Sequence, residues 1–435
     1  MSSLFAWRAL LFAGECLAAS ALLLALAWLP THGLRQASLR HLVWVTAFGT
    51  LLVLPARASA PARVVILPVN HSQQLVARSD QPGFLTALIQ SLKPDAICIE
   101  VFPRAYARND FYDFAYEQTG IIVPYARAQR IALYPIDWEP ERDDMLLAFG
   151  SDLDETPLIR PKAGWGAFLT FPDAKDLKAP FLDPQPDVIA HVQRWAKTDP
   201  ADPSQDAPRR LYLYRTFLQA RRIAQVARAH PGGTVLVVIG EFHKWDIERT
   251  LAHDPAIRFV QPKNVFVPDE HKADALTTPA QRVAILSFNL LGLQAAGGNV
   301  DWDWMRAELA TLPKSEPASE REIFAIRLGQ LTHELTPADA IARYQALIAA
   351  TPADLCFTWT GAKDPARLDS YFDPFGNLTI RQRARLELAR AQAEAGQTEP
   401  AKTGFAALLR ELNGQQAFQA ETYAPLYLWP GNAKG

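Results

Sequence analysis

The chain has 435 residues, 49% of them hydrophobic, which is ample for a buried core and excludes a disordered protein. Lys and Arg number 44 against 46 Asp and Glu, a formal charge of -2, so no basic face suited to nucleic acid is implied. Three cysteines (Cys16, Cys98 and Cys356) build neither a disulfide framework nor a cysteine-rich zinc site.

The length exceeds one ordinary core, and composition divides the chain into residues 1–61, 62–270 and 271–435. Ala9 to Leu29 is apolar except for Glu15 and a few small residues. At about 1.5 Å per residue it matches a hydrocarbon core of roughly 30 Å and reads as a transmembrane helix. A cleaved signal peptide is the competing reading, with Ala58-Ser59-Ala60 as a cleavage site set awkwardly before Pro61. A second apolar run, Leu42 to Leu54, is either a short second span or a helix lying at the interface. Arg35 and Arg40 favour a cytoplasmic link between the two runs, whereas Arg57 and Arg63 speak the other way. Membrane lipid is therefore the first expected partner.

From Arg63 the pattern becomes an alternation of strands and helices. Arg63 to Val69 reads as a strand that runs on to His71, and Gly83 to Leu92 as a helix. Ala96 to Val101 reads as a second strand, with Glu100 near its carboxyl end among residues expected to be buried. A buried carboxylate needs a partner or a metal. Asp110 to Arg130 reads as an aromatic-rich helix interrupted by Pro124, its rings assigned to packing. Ile131 to Asp137 reads as a third strand. Residues 150–208 are rich in Pro, Asp and Gly and read as an insertion or lid over the strand ends. Arg209 to Ala229 is a basic amphipathic helix, closed by His230-Pro231-Gly232-Gly233. It feeds the apolar strand Thr234 to Ile239, after which come Gly240-Glu241-Phe242-His243. Asp246 to Leu251 opens the next helix, and Ile257 to Val260 is a last strand. The alternation predicts an α/β (α+β) body: a central sheet with flanking helices.

Four strand ends thus carry His71, Glu100, Asp137 and His243. In an open α/β sheet such ends face one crevice. Two neutral imidazoles and a carboxylate suit a divalent transition metal such as Zn, Mn or Co. His71, Glu100 and His243 are the expected ligands. Asp137 or Glu241 would be a fourth ligand, a partner to an imidazole or a general base, and Arg215 would pair with Glu100 or hold an oxyanion. Acid–base hydrolysis by histidine and carboxylate without an ion stays open. No nucleophile elbow, Gly-x-Gly-x-x-Gly or phosphate-loop lysine is present, which argues against a serine hydrolase and nucleotide chemistry.

At these motifs residues 62–270 resemble the TraB/Tiki and ChaN/erythromycin-esterase superfamily. Gly240-Glu241-Phe242-His243 matches its second Gly-x-x-His motif, Glu100 its acidic position and Arg215 its helical arginine, with Thr216 replacing a polar neighbour. Pro68-Val69-Asn70-His71 keeps the first histidine and lacks the glycine. The resemblance implies an EreA/ChaN-like fold and a metal-dependent hydrolase of peptide or ester bonds. It also leaves open a binder of haem or a small ligand, with Tyr112, Tyr116 and Tyr125 near the site, and a non-catalytic, membrane-tethered interaction module. Ala37 to Trp44 and on to Pro55 resemble the first membrane hairpin of beta-lactam-sensor-type membrane peptidases, without their His-Glu-x-x-His. A place in the bacterial cytoplasmic membrane, with the main domain outside it, is the matching expectation.

Residues 271–435 read as helical. Thr336 to Ala350 is amphipathic, with Pro337 at a helix start. Arg381 to Ala395 and Glu399 to Leu412, joined at Gly396, look like a tetratricopeptide unit. Such helices would cap the sheet domain or recruit a protein partner.

Overall fold

The computed structural model describes residues 60–109, 115–149, 157–160, 168–181, 186–297, 299–313, 318–359, 361, 364 and 366–428. Both apolar amino-terminal runs, Tyr112 and the tail from Trp429 lie outside the described residues. Among the described residues no helix is long and apolar enough to cross a membrane.

Five parallel strands form one sheet: β1 (Ala62–Val69), β2 (Ala96–Ile99), β3 (Ala132–Pro135), β4 (Thr234–Gly240) and β5 (Ile257–Phe259). Their order is β3-β2-β4-β1-β5. Parallel neighbours need crossovers, and the helices between the strands supply them. These are α1 (Pro82–Leu92), α2 (Pro103–Arg108), α3 (Val123–Gln129), α4 (Arg142–Phe149), α5 (Pro186–Lys197), α6 (Ala207–Ala229) and α7 (Glu241–Leu251).

Side chains alternate across a strand, so each strand feeds two cores. Val65, Leu67, Val69, Ile97, Ile99, Leu236 and Val238 face one side and pack with Phe84, Leu88 and Ile89 of α1. Val64, Ile66, Cys98, Val235, Val237 and Ile239 face the other and meet Ala220, Ile223 and Ala227 of α6 and Ile247 and Leu251 of α7. Burial on both faces explains why these strands read as unbroken apolar runs.

The first core continues into α8 (Glu270–Leu276), α9 (Pro279–Leu286), α10 (Gln294–Gly297), α11 (Trp302–Thr311), α12 (Ala318–Leu331) and α13 (Pro337–Ala350). Val283, Leu286, Phe288, Trp304, Phe324 and Tyr344 all belong to it. The chain then forms α14 (Ile380–Glu394), α15 (Thr398–Leu409) and α16 (Gly414–Tyr427). Gly396, between α14 and α15, has φ +77°, a backbone setting that suits glycine. Residues from Pro61 onward form one compact unit.

Three local readings change. The first residues of the helix expected over Asp110 to Arg130, 110–114, lie outside the described residues, and the described part is helical but opens with a π-helical turn, Glu117–Ile122, leading into α3. Pro124 lies in the first turn of α3, where its missing N–H costs nothing. The helix expected from Asp246 begins at Glu241, because Gly240 at φ -51° and ψ 136° caps it directly after the strand. His243 is therefore in a helical first turn and not in a loop. The stretch read as a lid contains a helix, α5, and its Phe171, Leu177 and Phe181 are core residues. Proline-rich flanks hid that helix from the periodicity.

Candidate functional site

Strand register brings the predicted residues to one level. Val69 lies beside Gly240, and Ile99 beside Val238, so His71, Glu100 and Gly240 emerge together at the carboxyl ends of adjacent strands. His71 Nε2 is 3.5 Å from Glu100 Oε2. His243 Nε2 is 3.5 Å from Glu100 Oε1. Both imidazoles thus face the same carboxylate.

Each ring is oriented by its other nitrogen. Thr216 Oγ1 donates to the Tyr212 carbonyl at 2.7 Å and lies 2.7 Å from His243 Nδ1. With its proton already committed, the hydroxyl accepts from His243 Nδ1–H, and Nε2 is left with its lone pair. Burial, and then the charges of Arg215 and His71, push the His243 pKa well below its ordinary value, so this ring is neutral. His71 Nδ1 lies 2.7 Å from Glu117 Oε1, and Glu117 Oε2 accepts from the Ser72 N–H at 3.1 Å. Glu117 is fully buried in the π-helical turn. Ser72, at φ 63°, holds the left-handed conformation that turns its N–H toward that carboxylate.

Glu100 is held from two sides. Arg215 Nη2 donates to Oε1 at 2.8 Å and the Gly240 N–H to Oε2 at 2.6 Å. Burial pushes its pKa up, while Arg215 and then His71 oppose the shift. Asp137 clamps Arg215, accepting from Nε and Nη2 at 2.7 Å each, and takes a further bond from Gln219. Arg215 accordingly bridges Asp137 and Glu100.

Glu241 is buried in the first turn of α7, and its Oε2 has no hydrogen-bond partner among the described residues. Burial raises its pKa and the nearby His71 opposes the shift. Tyr212 stacks on His243 with ring centroids 5.1 Å apart, and its hydroxyl donates to the Phe242 carbonyl at 2.8 Å. Tyr116 is instead a core residue, edge-on to Trp359.

Gly240 is the floor of the cleft. A Cβ there would lie 3.0 Å from His71 Nε2, 3.5 Å from Glu100 Oε2 and 3.8 Å from His243 Cδ2. Any side chain would fill the space that the two rings and the carboxylate surround.

By residue type alone, two imidazoles and a carboxylate are donors that a divalent cation takes. Two imidazoles with Nδ1 engaged and Nε2 aimed inward are the arrangement metal-binding histidines adopt. The 3.5 Å separations are close to the roughly 3.3 Å edge of a tetrahedron with bonds near 2.0–2.1 Å. Glu100, Glu117, Asp137 and Glu241 also outnumber the one guanidinium that bridges two of them. Among the described residues, however, no group of three His, Cys, Asp or Glu side chains is placed to hold a metal ion. Arg215 and the Gly240 N–H donate to the two Glu100 oxygens, so each oxygen already has a partner.

Glu117 and Tyr212 are the site residues that sequence reasoning missed. The signal for Glu117 was a Glu-Gln pair between an aromatic run and Ile121-Ile122-Val123, where polar residues are out of place unless partnered. No protein-family model, curated protein or solved structure matches this chain.

Proposed function

We propose that the chain is a membrane-anchored, metal-dependent hydrolase of peptide or ester bonds. The observation that carries this reading is the pair of imidazole Nε2 atoms, each 3.5 Å from a different oxygen of the buried Glu100 carboxylate. His71, His243 and Glu100 would hold the ion. A divalent ion held there supplies Lewis acidity to a carbonyl and acidity to a water molecule.

The chain's own groups do the rest. Glu241, with one oxygen unpartnered and its proton favoured by burial, takes up and returns a proton beside His71. Glu117 fixes the His71 ring, and Thr216 fixes that of His243. Arg215, clamped by Asp137, steadies Glu100 and presents positive charge where an oxyanion would develop. The resemblance to the TraB/Tiki and ChaN group, the amino-terminal anchor and an extracytoplasmic setting belong to the same proposal and rest on sequence.

A second reading is hydrolysis by Glu241 and His71 without an ion. The open donor set favours it, because both Glu100 oxygens already accept hydrogen bonds. Elemental analysis of the purified full chain, combined with a hydrolysis assay before and after chelation, separates the two. About one equivalent of metal, lost with the activity in His71→Ala and His243→Ala, supports the first. Metal-free protein with undiminished activity overturns it and leaves the second.

A further inference from the structure

The π-helical turn Glu117–Ile122 reaches both histidine-bearing segments through two adjacent side chains. Glu117 holds the segment after β1. Its carboxylate takes His71 Nδ1 at 2.7 Å and the Ser72 N–H at 3.1 Å, and the Tyr116 N–H donates back to Ser72 Oγ at 3.1 Å. Gln118 holds β4: its Nε2 donates to the Val238 carbonyl at 3.1 Å. Val238 is paired with Ile99, the last residue of β2, so this side chain meets the sheet where the β2 ladder stops. Two residues on from Val238 is Gly240, whose N–H donates to Glu100, and α7 follows at once with His243.

Gln118 is poorly explained as packing. It is fully buried, and its Oε1 has no hydrogen-bond partner among the described residues. A buried acceptor without a donor costs free energy, and a methionine would fill much the same space without that cost. A locally unfavourable residue is expected where its other contact serves a site. The turn itself is pinned as well. A Cβ at Gly120 would collide with the Tyr116 ring, which is buried and edge-on to Trp359, so the ring closes over the turn. Single π-helical turns are frequent at functional sites.

We propose that Gln118 is a positioning residue: with its neighbour Glu117 it braces the His71 ring against the strand that leads to His243, and so sets the separation of the two imidazoles across Glu100. It acts through Glu117 on one side and through the end of β4 on the other. As the brace of a metal-binding pair the inference rests on the hydrolase proposal; as the brace of the His71–Glu117 contact it does not.

The test uses the full chain and reads the His71 Nδ1 proton by NMR, assigned by its absence from His71→Asn. Bonded to a buried carboxylate, that proton should resonate far downfield and exchange slowly. Gln118→Met removes the tie to Val238 and nearly keeps the volume. The resonance should then move upfield or broaden away, and zinc affinity should fall about tenfold. Gln419→Met is the comparison. It takes a fully buried glutamine and its bonds to Leu158 and Leu368 from α16, so it should lower the melting temperature at least as far and leave the His71 proton in place. If Gln118→Met melts early, Gln118→Asn, one methylene too short for the Val238 carbonyl, gives the same readout. A His71 proton unmoved in both Gln118 variants, or lost equally in Gln419→Met, would overturn the inference. A resonance that depends on Gln118 in a protein that takes up no zinc would uphold the brace and sink the metal reading alone.

Discussion

Gly240→Ala separates folding from site chemistry. The backbone at Gly240, φ -51° and ψ 136°, is open to any L-residue, so the substitution brings no conformational strain. Alanine is a poorer helix cap than glycine by up to about 1 kcal/mol. Lower entropy of the unfolded chain offsets that by about 0.4–1 kcal/mol. Stability should therefore change by less than about 1 kcal/mol. The new methyl would stand 3.0 Å from His71 Nε2, shorter than the 3.4–4 Å of ordinary contact, so the ring must move by a few tenths of an ångström. Metal–ligand distances tolerate about ±0.2 Å. Affinity for zinc, manganese or cobalt should fall about tenfold or more, the loss expected when a ligand's orientation is disturbed. Isothermal titration calorimetry reads the affinity and thermal unfolding reads the fold. Gly414→Ala, where a methyl meets nothing within 4 Å, is the control: metal affinity should stay unchanged and stability should rise by no more than about 1 kcal/mol. Metal affinity within twofold of the parent in a well-folded Gly240→Ala would refute the cleft geometry.

Other perturbations have equally definite outcomes. Arg215→Met removes the donor shared by Glu100 and Asp137, both nearly buried, and should destabilise by about 3 kcal/mol in a denaturant titration; a loss under about 1 kcal/mol would show that the arginine is not their counter-charge. Burial, followed by repulsion from Glu117, holds the Asp80 pKa well above its ordinary value. A raised acid favours folding at low pH and loses that contribution as pH rises through the folded pKa. Asp80→Asn, which keeps an oxygen for Gln73 and Gln74, should thus be more stable than the parent at pH 8 and no more stable at pH 4. His243 has the opposite sign. Its folded pKa is depressed, so the unfolded chain takes up the proton first, and stability is lost as pH falls below about 6.5. In chelator-treated protein, His243→Gln should flatten the stability profile between pH 5 and 7, and an unchanged slope would contradict a buried neutral ring.

Much of this site was legible in the sequence because strand ends are. Apolar runs ending at His71, Glu100, Asp137 and His243 needed only a parallel sheet to converge, and β2, β4 and β1 are indeed neighbours. What the sequence did not disclose depends on long-range packing. Asp137 looked equally suited to a metal, an imidazole or a base; only the packing of α6 on the sheet, which brings Arg215 to it, makes it the clamp of that arginine. Glu117 reaches His71 through a π-helical turn that no 3.6-residue periodicity would suggest. The helix start at Glu241 was displaced in the reading because glycine after a strand signals a turn, whereas here it serves as the cap.

The most direct test is a long-range ¹H–¹⁵N spectrum of the histidine side chains during a zinc titration. Without metal, His243 should read as a neutral ring protonated on Nδ1. At one equivalent of zinc, the Nε2 resonances of His71 and His243 should shift together, and Glu100→Gln should abolish the joint shift. Zinc that moves neither ring, or only one, would contradict a shared site at Glu100.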